Sequence, residues 1–286
     1  MTTLVRGAAE RFHFDRQHLA ELADGKRDAY ASAHPFPHIV IDGFLPDEVL
    51  DGVLAEFPKP HQADWFAFDS PLERKLATKD DSTMGEATRH LFTELNSGPF
   101  IDFLERLTGI DGLVPDPHLI GGGLHQIERG GHLKVHADFN RHPRTGLERR
   151  LNLLLYLNRS WREEYGGALE LWSRDMSTSE AQILPVFNRC VVFSTTDTSY
   201  HGHPEPLGCP EGETRKSMAL YYYSKGRPGE AGDEHNTLFQ ARPGEQLPVD
   251  EVEESPPPRE RFKAGVRRVA PPILLDALRR LRARRA

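Results

Sequence analysis

The sequence predicts a mainly β fold, an antiparallel sandwich or barrel with flanking helices, and two observations carry that expectation. From about residue 117, short β-rich runs recur: HLIGGGLHQIE, HLKVHADF, RLNLLLYLN, ALELW, QILPVFNRCVVFS and SMALYYYS. Gly, Pro, Asn and Asp lie between them, as turns between antiparallel strands require. No helical pattern separates successive runs, which a parallel βαβ sheet would need.

The elements before that region are mostly helical. Residues 14–33 place apolar side chains at helical spacing among polar ones and predict an amphipathic helix. HIVI, bounded by HPFP and Asp-Gly, predicts a short strand. PDEVLDGVLAEF opens with Pro and acids and ends at Pro58, which predicts a second helix. Residues 59–86 show no clear period and are expected to be loop. Residues 87–107 predict one helix, or two interrupted near Gly98-Pro99. After residue 226 the chain is loop-like through EQLPVDEVEE and SPPPR, and PILLDALRRLRARR predicts a last helix. The expected division is a support region over 1–116, a catalytic core over 117–228 and an extension over 229–286.

Composition narrows the function classes. Net charge is -7 over 286 residues, yet residues 259–286 hold ten Arg or Lys against Glu260 and Asp276. The body is therefore acidic and offers nucleic acid no basic face. The basic last helix is expected to pack on that body or to bind a partner. No apolar run reaches the roughly 20 residues of a membrane span. The start has no apolar signal core, so the expected location is cytoplasmic. Cys190 and Cys209 are the only cysteines, so a metal would be held by nitrogen and oxygen.

Three groups of residues carry chemistry. His136 and Asp138 sit at i and i+2 near a strand end, so both side chains leave one face and can reach one ion. Alone, such a pair is as well read as a surface hydrogen bond. A third ligand is offered 65 residues on, where VVFSTTDTSYHGHP runs from an apolar strand into His201 and His203. His201 is the expected ligand and His203 its rival, expected to be a pocket residue. Two His and one carboxylate leave coordination positions open on one side, the arrangement suited to non-haem iron(II). Arg215 then opens the apolar strand TRKSMALYYY. A buried guanidinium there wants a planar carboxylate, such as the distal one of 2-oxoglutarate, unless it pairs with Glu170. Ser217, two residues along, shares its face and could donate a second hydrogen bond. His132 and His142 read as solvated or rim histidines, and Trp161 and Trp172 as packing residues.

The fragments GGHLKVHADFN, RRLNLLLYLNRSW, YGGALELW, FSTTDTSYHGHP and TRKSMALYYY, in that order, resemble the prolyl 4-hydroxylase-like branch of the iron(II)/2-oxoglutarate-dependent oxygenases. The resemblance implies a double-stranded β-helix (jelly-roll) core. It implies His136, Asp138 and His201 as iron ligands and Arg215 as partner of the 2-oxoglutarate C5 carboxylate. Tyr156 falls where that family often contacts the cosubstrate, and by alternation Asn152 and Leu154 share its face. Fe(II), 2-oxoglutarate and O2 are the implied cofactors, with ascorbate as a reductant. The implied reaction is hydroxylation of a C–H bond in a peptide, protein or small-molecule substrate, with release of succinate and CO2. Retention of Asp138 favours hydroxylation over halogenation. Two positions depart from the family: His125-Gln126 replaces a common Tyr, and GHP replaces the Val-containing segment after the distal His. A cupin-type isomerase or hydrolase without 2-oxoglutarate, and a non-catalytic protein of the same fold, are the competing readings.

Overall fold

A computed structural model describes residues 13–227 and 233–248. In chain order the elements are α1 (Arg16–Ala31), β1 (His38–Asp42), α2 (Asp47–Glu56), β2 (Trp65–Asp69), β3 (Glu73–Thr78), α3 (Glu86–Leu95) and α4 (Gly98–Thr108). There follow β4 (Val114–Pro115), β5 (Gly123–Glu128), β6 (His132–Ala137), β7 (Glu148–Tyr156), β8 (Leu169–Trp172) and β9 (Ser179–Ile183). The last are β10 (Arg189–Ser194), β11 (His201–His203), β12 (Thr214–Ser224) and β13 (Leu238–Phe239). The predicted basic C-terminal helix lies outside the described residues.

All pairings between these strands are antiparallel. One side of the barrel has the order β1-β10-β7-β12-β5, and the other β6-β11-β8-β9. From β5 to β12 successive strands cross from one side to the other except at the β8–β9 hairpin, as a double-stranded β-helix requires. The described helices form no span long and apolar enough to cross a membrane.

The first sheet is buried on both faces, which explains the near-continuous apolar text of its strands. Leu151, Leu153 and Leu155 of β7, Cys190 and Val192 of β10, and Met218, Leu220 and Tyr222 of β12 face the helices. There they pack with Leu19, Tyr30, Leu91 and Phe100. The alternate residues face inward, where Tyr156, Val191 and Phe193 meet Leu169, Leu171 and Ile183 of the opposite sheet. Period-2 alternation therefore sends Asn152, Tyr156, Arg215 and Ser217 to the interior.

Two of the expected helix starts have visible causes. The Asp15 carboxylate accepts from the His18 backbone N–H at 2.8 Å and caps α1. The 87–107 segment is two helices because Pro99 lacks an N–H and cannot continue α3. It sits instead in the first turn of α4, where that loss costs nothing.

Residues 59–86 are not loop. Trp65 to Asp69 and Glu73 to Thr78 form a hairpin, and its second strand closes one edge of the barrel. Leu76 and Ala77 pair with β5, while Glu73 and Arg74 pair with β6. The alternation in WFAFD was a usable strand signal; the charged ERKLAT masked its partner, because that strand spans both sheets rather than burying one clean face.

Candidate metal centre and the pocket behind it

His136 stands near the end of β6 and Asp138 just beyond it, while His201 opens β11. The two histidines are direct partners in register. Their ligand atoms and the Asp138 carboxylate lie within 4.8 Å of one another. His136 Nδ1 donates to the Lys134 carbonyl at 2.9 Å, and His201 Nδ1 donates to the Ser199 carbonyl at 2.9 Å. A carbonyl can only accept, so both protons are on Nδ1 and both Nε2 lone pairs are free. Those Nε2 atoms face Asp138 Oδ1 at 3.6 Å and Oδ2 at 3.4 Å. Two lone pairs and a carboxylate turned on one point repel unless a cation lies there. The donor set fits a divalent metal.

Charge in the pocket bears on His201 and Asp138. Burial lowers the His201 imidazole to about 4 even against the pull of Asp138. Burial works to raise the Asp138 carboxyl, but the Arg149 cation beside it holds it well below the usual carboxylate range. The carboxylate is ionised and the His201 lone pair free near neutral pH, as metal binding needs.

Arg149 was not singled out from the sequence. Its guanidinium is 1 % exposed, lies 3.1 Å from Asp138 Oδ2 and donates from Nε to Asn152 Oδ1 at 2.9 Å. It also lies over the Tyr221 ring, 3.4 Å from its centroid, and 4.6 Å from that of Phe139. Asn152 Nδ2 in turn donates to Asp138 Oδ2 at 2.7 Å. The bond of Asn152 is thus to the metal-facing carboxylate. The sequence signal was RR at the head of an apolar strand, and alternation from Asn152 and Tyr156 would turn Arg150 inward; the register shift between Tyr222 and Tyr223 turns Arg149 inward instead. Arg150 turns away, to Ser224 Oγ and the Gly226 carbonyl.

Arg215 is 4 % exposed and lies deeper in the same interior. Its Nε donates to the Gly167 carbonyl at 2.8 Å, and Nη2 donates to the Tyr156 hydroxyl at 3.2 Å. No described carboxylate lies within ion-pair distance of it, and Glu170 instead accepts from Trp172 Nε1 at 2.8 Å. Gly167, at φ +72°, is required here: a Cβ would stand 2.5 Å from Leu207 Cδ2 and 3.0 Å from Arg215 Cδ. This accounts for the second glycine of YGGALELW. Ser217 lies opposite both Tyr156 and His125 in register. Burial lowers His125 to about 3, helped by the Lys75 and Arg215 cations.

The other histidines separate cleanly. His203 is buried, but its ring is not among the triad atoms. His132 Nε2 donates to the Pro71 carbonyl at 3.1 Å. The expectation of a solvated His142 is corrected. It is 3 % exposed, its Nε2 lies 3.3 Å from Asp116 Oδ1, and its ring meets Tyr223 edge-on. Asp116 sits far upstream in sequence, so nothing local announced that burial.

Residues 122–223 match the family model described as the 2OG-Fe(II) oxygenase superfamily, the stretch that holds the triad and Arg215. Over that stretch the chain is similar to that superfamily. Among solved structures, a prolyl hydroxylase from Trichoplax adhaerens in complex with a hypoxia inducible factor peptide fragment is 16% identical. That match covers 77% of this chain and 94% of the other, at a TM-score of 0.51, a likeness of fold. A Pseudomonas putida prolyl-4-hydroxylase is 19% identical, covering 73% of this chain and 100% of its own, at 0.49. HygX from Streptomyces hygroscopicus, solved with nickel and 2-oxoglutarate, is 13% identical, covering 78% and 98%, at 0.46. No curated protein matches the sequence. The matched stretch includes His136, Asp138 and His201, the group that could hold a metal ion.

Proposed function

We propose that this chain is an Fe(II)/2-oxoglutarate-dependent dioxygenase that hydroxylates an unactivated C–H bond in a prolyl or other amino-acyl side chain or in a small molecule. The observation that carries this reading is the pairing of the triad with a buried, carboxylate-free Arg215 in one interior. Bound iron(II) would supply O2 activation coupled to oxidative decarboxylation of 2-oxoglutarate, with ascorbate as auxiliary reductant. The residues supply position and charge. His136, Asp138 and His201 offer three ligands from one side and leave the opposite side open. Arg215 spends Nε on Gly167 and one Nη2 proton on Tyr156, so its remaining N–H groups are available to a planar anion. The Tyr156 hydroxyl accepts from Arg215, and its own hydrogen is left to donate to the same anion. The apolar wall of Val191, Phe193, Leu169 and Leu171 keeps water from the interior.

The test is an anaerobic titration of the purified protein with Fe(II) and then 2-oxoglutarate, following the visible metal-to-ligand charge-transfer band. The band should form in the wild type and be lost or much weakened in His201→Ala and Arg215→Ala. A wild type that binds metal but gives no band with 2-oxoglutarate would sink this reading in favour of cupin-type metal chemistry.

A further inference from the structure

His203 is an anomaly in the interior. It is 4 % exposed, and neither ring nitrogen has a hydrogen-bond partner among the described residues. Buried polar groups in native folds are nearly always paired, and each one left unmet costs about 1–3 kcal/mol. An imidazole with both nitrogens unmet is a group waiting for something. It cannot replace a triad member, because His201 already occupies the position opposite His136.

Its surroundings identify what it waits for. The charged and titratable groups acting on the ring are Arg215, Lys75, His132 and His136, with Arg215 foremost. Lys75 itself is engaged with Glu73 at 3.1 Å. Two residues along β11 from His201, His203 lies opposite Leu133 across a one-residue irregularity in the β6–β11 register. Among these charged groups Arg215 acts on the His203 ring most strongly. The interior there is dry, and an imidazole ring with both nitrogens unmet offers an N–H in either tautomer. An anionic oxygen held by Arg215 is the acceptor that such an N–H fits.

We propose that His203 donates a hydrogen bond to the distal carboxylate of the cosubstrate beside Arg215 and Tyr156, and so sets the pocket's preference for a dicarboxylic 2-oxo acid. The inference rests on the 2-oxoglutarate reading above. His203 is a binding residue in this account, not a metal ligand.

The experiment uses the full chain loaded with Zn(II), which binds without turnover, and reads affinity by calorimetry. Two ligands are compared: 2-oxoglutarate, and 2-oxobutanoate, which has the same 2-oxo acid head and no distal carboxylate. His203→Leu should weaken 2-oxoglutarate by about 10–100-fold, the value of one hydrogen bond to a charged group. It should change 2-oxobutanoate and Zn(II) affinity by less than about twofold, since neither uses the lost donor. His203→Gln, which keeps a donor, should recover part of the loss. If His203→Leu does not fold, the wild type still decides, through the ring N–H signals of 15N-histidine-labelled Zn(II) protein. Adding 2-oxoglutarate should bring one imidazole N–H into slow exchange, and that signal should be missing in His203→Gln. A His203→Leu variant that binds 2-oxoglutarate within twofold of wild type, or loses both acids alike, overturns the proposal. So does the absence of a new slow N–H signal. Failure of the wild type to bind 2-oxoglutarate at all would overturn the cosubstrate reading together with this one, and is told apart by occurring before any substitution.

Discussion

Asn152 Nδ2 donates to Asp138 Oδ2 at 2.7 Å, so a strand of one sheet holds the carboxylate that the opposite sheet presents to the metal. The same Asn152 accepts from Arg149 through Oδ1, at 2.9 Å. One amide therefore orients a metal-facing carboxylate and a buried cation at once.

Replacing Asn152 with Ala should lower Zn(II) or Mn(II) affinity by about 10–100-fold, the usual effect of removing a group that orients a ligand. It also leaves Arg149 Nε unpaired, at a cost of about 1–3 kcal/mol in urea unfolding. Metal affinity equal to wild type in calorimetry would show that Asp138 holds its orientation through Arg149 alone.

Arg149→Leu has a different signature. Without metal, Asp138 loses its buried counter-charge, and the apoprotein should lose about 3–5 kcal/mol of stability. Saturating Zn(II) supplies the missing charge, so the deficit should shrink in the metal-bound form. Urea curves with and without Zn(II) give both numbers. The same deficit in both would mean that Arg149 serves only to pack between Tyr221 and Phe139.

Gly167→Ala should damage the far end of the pocket. The added methyl meets Leu207 and Arg215, at a φ of +72° that L side chains rarely adopt. The expected cost is about 1–3 kcal/mol of stability, with weaker 2-oxoglutarate binding because Arg215 must move. Unaltered Zn(II) affinity would place the damage at Arg215, and a matching loss of Zn(II) affinity would mean that the whole barrel has shifted.

Stability should fall with pH before the carboxylates titrate. His125 is lowered to about 3 by burial and by the Lys75 and Arg215 cations, whereas an unfolded His titrates near 6.5. The unfolded state therefore binds the extra proton. The associated stability is fully present above about pH 6.5 and is lost progressively as pH falls toward the folded value. Urea midpoints of the metal-free protein should drop between pH 7.5 and 5.0, and less so in His125→Gln. An equal drop in the variant would assign the effect to other buried histidines.

The sequence by itself determined most of the barrel and pointed to the three residues that the fold brings together as a candidate metal triad. Both rest on short-range regularities. Strand alternation put His136 and Asp138 on one face, and the strand-to-turn text of FSTTDTSYHGHP marked where β11 begins. Turn residues between apolar runs set the antiparallel order of the core. Pairing across long separations decided the rest. Nothing near residues 73–78 says that Glu73 meets Leu133 while Leu76 meets Gln126. Asp116 and His142, or Gly167 and Arg215, come together only once the sheets close. Arg149 rather than Arg150 turns inward because the register slips by one residue between Tyr222 and Tyr223, which face Leu151 and Arg149, a bulge at Arg150 that breaks the alternation of β7. An unbroken ladder would have put Arg150 on the inward face with Asn152, so the cation beside Asp138 is a product of tertiary structure.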